Sequence, residues 1–130
     1  LELPTRSGTY TVSAAWFDYG LGNAVNNAPD PKLPITTEQD AWYVKAGYLL
    51  PEKVGAGRLQ FFGRHDVQEL NLDSGLFDKT YSAAGAHYYL HGQQIKLTLE
   101  HGVIEYETPV AGNPALEDGH QTTLGFQFIL

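Results

Sequence analysis

Ala41-Trp42-Tyr43-Val44-Lys45-Ala46-Gly47-Tyr48-Leu49-Leu50 sets Trp42, Val44, Ala46, Tyr48 and Leu50 on one side of an extended chain, with Lys45 central on the other. Successive side chains of a strand point to opposite faces, so this stretch reads as a strand with one apolar face and one mixed face. A turn over 51–57 follows. The alternation resumes with Leu59, Phe61, Gly63 and His65 on one side and Arg58, Gln60, Phe62, Arg64 and Asp66 on the other.

Working outward, the same period of two predicts strands near 9–19, 41–50, 58–67, 80–91, 94–106 and 121–130, and no segment carries a helical stripe. The expected fold is all-β, an antiparallel up-and-down meander of about six strands occupying residues 1–130 as one segment of a single domain. The connections alternate in length. Gly20 to Asp40, the stretch with Glu69, Asp73 and Asp78, and Glu107 to His120 are long and polar. Pro51 to Gly57 and Gly92-Gln93 are short.

The bulk numbers narrow the class. The 130 residues hold no cysteine, which excludes a disulfide framework, a thiolate metal site and a cysteine nucleophile. A net charge of −7 argues against nucleic acid as a partner. No run approaches the roughly 18 apolar residues of a membrane-spanning helix. Leu1-Glu2-Leu3-Pro4 has neither a basic nor an apolar leader region, so the chain is expected to begin within a longer or processed protein.

Strands of about 9–11 residues match the hydrocarbon thickness when tilted. Short turns on one side and long loops on the other are the outer-membrane pattern. Trp16, Trp42, Tyr48, Tyr88 and Phe128 sit toward strand ends on the apolar face, as membrane-interface aromatics do. The expectation is therefore a segment of a Gram-negative outer-membrane β-barrel, its C-terminus at the periplasmic face. Six strands fall short of the roughly eight needed to close such a barrel, so the segment is expected to pair with further strands, in a wall of about 16–18. A soluble sandwich or ligand-binding barrel also alternates, and is the competing reading.

The stretch from Ala41 to Pro51 running into Gly57-Arg58-Leu59-Gln60, then Tyr88-Tyr89-Leu90-His91-Gly92 and Lys96-Leu97-Thr98-Leu99-Glu100, resembles the C-terminal strands of the phosphate-selective porin family (the O and P porins). The resemblance covers about residues 41 to 130. It implies a barrel of roughly sixteen strands, usually a homotrimer, that passes small solutes or ions through the outer membrane. Family members close on an aromatic residue where this chain has Leu130, and often carry Pro where it has Phe61. No phosphate-binding residue is carried over, because the family's arginine ladder and lysine cluster lie mainly outside this region.

On the strand faces assigned to the lumen stand Lys45, Arg58, Arg64 and Lys96 against Asp66 and Glu100, the candidates for selectivity. Asp30, Glu38, Asp40, Glu69, Asp73, Asp78, Glu107, Glu117 and Asp118 are assigned to loops. Such a wall would favour anions. The alternative is that these charges are salt-bridged across strands. The acidic loops would form a solvated outer face, or hold divalent cations against lipopolysaccharide phosphates. Catalysis has no support: His87 and His91 lie about 13 Å apart along one strand face, at ~3.3 Å per residue. HExxH and GxSxG motifs are absent. No catalytic residue, metal or cofactor is expected, and the expected partners are outer-membrane lipid, lipopolysaccharide and the remaining barrel strands. The functional alternative to a channel is a structural or interaction barrel within an envelope complex.

Overall fold

The structure, a computed structural model, describes residues 1–20, 38–70, 78–90, 94–107 and 117–129. They form seven strands: β1 (Glu2–Thr5), β2 (Gly8–Gly20), β3 (Glu38–Val54), β4 (Gly57–Leu70), β5 (Lys79–Tyr89), β6 (Ile95–Tyr106) and β7 (Gly119–Phe128). Each pairs antiparallel with its neighbour in sequence, giving one sheet in the order β1-β2-β3-β4-β5-β6-β7 with β1 and β7 at its edges. The all-β antiparallel meander is as expected.

The strand count is a correction, seven where about six were expected. β1 escapes sequence reading because it is four residues long and contains Pro4. A proline cannot donate to a ladder, and an edge strand is where a sheet tolerates it. A second correction concerns β3. Pro51 does not end it; the strand runs to Val54, and the register slips between Leu49 and Lys53. Pro51 lacks the N–H that a regular ladder requires, so the irregularity falls beside it. Arg58 Nη2 donates to the Leu50 carbonyl at 3.1 Å, which satisfies an acceptor within the slipped segment.

The β3–β4 turn is then two residues, Gly55-Ala56, with Gly55 at φ +63°. A positive φ at the first central position is what a type II′ hairpin turn demands, and glycine adopts it without steric cost. The tyrosines on the apolar face brace these turns. Tyr88 Oη on β5 donates to the Val54 carbonyl at 2.7 Å and accepts from Gly57 N at 3.0 Å. Tyr48 on β3 makes the corresponding bond to the Ser7 carbonyl in the β1–β2 turn. Tyr88→Phe, which keeps the ring and deletes both bonds, is expected to lower stability by about 1 kcal/mol. A denaturant midpoint unchanged from the parent protein under the same conditions would refute the brace.

Only one hydrophobic side chain among the described residues is buried, Phe62 at 5% exposure. A sheet normally buries its apolar face against a second layer. The described strands form one layer, and the apolar side chains of this one stand bare.

Candidate functional site

Register sorts the eleven candidates by face. Lys45 lies between Ser13 and Arg64, and the row continues through Ala83, Gly102 and Gln121. Cross-strand partners share a face and alternate residues return to it. Arg58, Asp66, Lys96 and Glu100 therefore fall on the face of Lys45 and Arg64. Sequence reasoning missed three charged residues there, Glu2 opposite Thr11, Lys53 opposite Arg58 and Lys79 opposite Gln68. The signal for Lys79 was its odd number in a strand whose odd members are the polar-face set. Trp16, Trp42, Tyr48, Tyr88 and Phe128 fall together on the other face.

At the centre of the polar face Phe62 lies between a cation and an imidazole. Lys45 Nζ is 4.0 Å from its ring centroid, and His87 stacks on it at 4.3 Å with 16° between planes. Lys45 Nζ is also 3.2 Å from His87 Nε2, while His87 Nδ1 is 2.9 Å from Thr98 Oγ1. Lys45 on β3 thus reaches across β4 to β5. Gly85 makes room: a Cβ there would stand 2.7 Å from the Phe62 ring, so only glycine lets that ring lie against the backbone. Below this cluster Gln60 donates to Thr11 Oγ1 at 3.1 Å and accepts from Tyr89 Oη at 2.7 Å. Gln60, Phe62 and His87 are the most buried side chains of the described residues, and all three are on the polar face.

Two acids on this face, Asp66 and Glu100, are already engaged. Asp66 is ion-paired with Arg64, two residues away on the same strand, and Arg64 also lies over the Tyr81 ring at 5.5 Å. Glu100 accepts from Tyr81 Oη at 2.8 Å. Among the described residues the Arg64–Asp66 pair is the salt bridge present, so cross-strand pairing does not neutralise Lys45 or Lys96. Arg58 is committed to the Leu50 carbonyl and has a structural duty that spacing could not reveal.

Several acids assigned to loops sit on strands instead. Glu38 and Asp40 belong to β3 and Glu69 to β4, because these strands run past the apolar stretch into its polar border. Asp30, Asp73 and His91 lie outside the described residues, as does Leu130. Among the described residues no group of three His, Cys, Asp or Glu could hold a metal ion.

The opposite face is apolar and exposed: Leu124 at 81%, Phe126 at 69%, Trp16 at 66%, with Leu99, Phe61 and Phe128 each more than half exposed. Trp16 faces Trp42, and the Tyr10 and Tyr48 rings are 4.9 Å apart. This apolar band does not run straight across the strands. The row through Tyr10 passes Tyr48, Phe61, Ala86 and Leu99 to Leu124. Tyr10 is the lower limit of the band on β2, whereas Leu124 is its upper limit on β7. Measured along the strands, the band's upper edge has slipped by six residues and its lower edge by four over five strand-to-strand steps. That is about one residue per strand. With ~3.3 Å per residue and ~4.8 Å between strands, a level band requires strands tilted by about 35°.

The chain matches no protein-family model, no curated protein and no solved structure.

Proposed function

We propose that the chain is part of the wall of an outer-membrane β-barrel of the porin type, through which small solutes diffuse passively. The observation that carries this reading is the inversion of the sheet. Its polar face holds the most buried side chains, and its apolar face is bare. In water such a face would have to be covered, and hydrocarbon covers it at no cost. The slope of the band adds support, since transmembrane strands tilt by about 35–45°. The two edges of the sheet support pairing with further strands, because unpaired backbone groups in lipid cost several kcal/mol each. The resemblance of about residues 41–130 supports the phosphate-selective porin family and a homotrimer, and the acidic outer face would meet lipopolysaccharide. In this orientation β7 runs toward the short turns and the periplasmic face.

The test is insertion and conductance of the native protein that contains this chain. It should resist carbonate extraction from membranes and form stepwise conductances in planar bilayers. Recovery in the aqueous fraction without detergent would overturn the reading in favour of a soluble ligand-binding barrel. Insertion without conductance would favour a structural barrel in an envelope complex.

Anion preference follows from the surplus of cationic over acidic side chains on the polar face and from Lys45, whose ammonium faces a ring and an imidazole, not a carboxylate. Lys45→Glu is expected to lower the anion-to-cation permeability ratio by about threefold. Reversal potentials under a salt gradient read this directly, and an unchanged ratio would remove Lys45 from the selectivity wall.

A further inference from the structure

The polar face carries a hollow toward the short-turn end of the sheet, below Lys45 and its neighbours. Its floor is a run of hydrogen bonds. Tyr89 Oη on β5 donates to Gln60 Oε1 on β4 at 2.7 Å, and Gln60 Nε2 donates to Thr11 Oγ1 on β2 at 3.1 Å. The second bond crosses β3 at Gly47, where a Cβ would stand 2.7 Å from Thr11 Oγ1 and 2.9 Å from Gln60 Nε2. A side chain at 47 would block that crossing, so glycine there keeps the face hollow. The volume is about 330 Å³, within the range of small-molecule sites, and Glu2, Leu49 and Arg58 complete the lining.

The two charged ends of this hollow differ in sign and do not meet. Arg58 stands in one row with Tyr89, flanked by Lys53 on β3 and, past Tyr89, by Lys96 on β6. Its Nη2 is spent on the Leu50 carbonyl, and a guanidinium has further N–H groups to offer. Glu2 stands four residues further along, in the row of Thr11, Gly47 and Phe62. It is exposed and forms no ion pair among the described residues. Three strand spacings of ~4.8 Å and four residues at ~3.3 Å put the two backbones about 19 Å apart on a flat sheet. The side chains of Arg58 and Glu2 cover most of that span, and what remains takes one small molecule. Leu49 on β3 lies between them, in the row of Gln60. From Arg58 to Glu2 the hollow therefore offers a cationic end, an apolar wall over a hydrogen-bonding floor, and an anionic end.

A small zwitterion with an apolar side chain complements that arrangement. Resting on the reading of this face as the lumen of a channel, we propose that the hollow is a binding station for a neutral α-amino acid. Its carboxylate lies on Arg58, whose planar fork matches a carboxylate in two bonds. Its ammonium lies on Glu2 and its side chain against Leu49. Glu2 disfavours a simple anion here, and the row of Lys53, Arg58 and Lys96 disfavours a simple cation. Passage requires binding weak enough for the solute to leave, so the expected affinity is millimolar.

The experiment records single-channel currents through the native protein that contains this chain, in planar bilayers, with three solutes of one skeleton. These are L-leucine, isocaproate, which lacks the ammonium, and isoamylamine, which lacks the carboxylate. L-leucine is expected to interrupt the current at millimolar concentration, and each singly charged analogue about tenfold more weakly. That comparison uses the parent protein alone and depends on no variant folding. Glu2→Gln should weaken the L-leucine effect about tenfold and spare that of isocaproate. Thr9→Trp, which fills the hollow from β2, should abolish the L-leucine effect. Isocaproate as potent as L-leucine would identify a plain anion site and overturn the proposal. No interruption by L-leucine, or interruptions unchanged in both variants, would overturn it too, and in each of these cases the channel stands. An absence of conductance steps sinks the proposal together with the channel reading.

Discussion

Phe126→Arg is expected to lower stability in a bilayer by about 2–4 kcal/mol, the cost of a guanidinium on the lipid face near the midplane of a transmembrane sheet. Phe126 sits mid-band on β7, opposite Leu97, and is 69% exposed. On a water-facing surface the same substitution at so exposed a position would stay within about 0.5 kcal/mol and would raise solubility. The two environments therefore give opposite results for one change. Urea unfolding of the native protein in lipid vesicles, with the parent alongside, measures it. An arginine variant as stable as the parent would return the apolar face to water and end the barrel reading.

The second large effect is expected from the adjacent pair Phe61 and Phe62, which share a strand and face opposite ways. Phe62→Ala removes the ring that carries Lys45 and stacks on His87, and leaves a void above Gly85. Loss of a buried phenylalanine costs about 3–5 kcal/mol where the surroundings cannot collapse. The lower end is expected here, because the ring is flanked by the polar side chains of Lys45 and His87 and not by an apolar core. Phe61→Ala deletes a ring that is already half exposed, and on the barrel reading lipid would fill the space it leaves. A larger loss for Phe61 than for Phe62 would mean that the polar cluster does not hold the sheet.

Much of this was legible from alternation alone. Lys45, Arg58, Arg64, Asp66, Lys96 and Glu100 sorted to one face and the five aromatics to the other, because a period of two leaves no freedom once a strand is recognised. β1 was not legible, since four residues with a proline give no period to read. The role of Arg58 depends on a register slip beside Pro51, and a slip is a property of two strands together. The slope of the apolar band was hidden for the same reason: it exists only when neighbouring strands are aligned residue by residue. The tyrosines were read as interface anchors, and that reading left out their hydroxyls, which bind turns 34 and 41 residues away in sequence.

Those hydroxyl bonds have a consequence for how the sheet is assembled. Each strand pairs only with its sequence neighbour, so the sheet can grow hairpin by hairpin without threading. Tyr48 fastens the β1–β2 turn from the next strand along, and Tyr88 fastens the β3–β4 turn from the next hairpin. A strand that joined one residue out of step would swing its tyrosine to the opposite side and leave the preceding turn unfastened. Every added hairpin thus checks the alignment of the one before it, and the growing sheet carries its own proofreading.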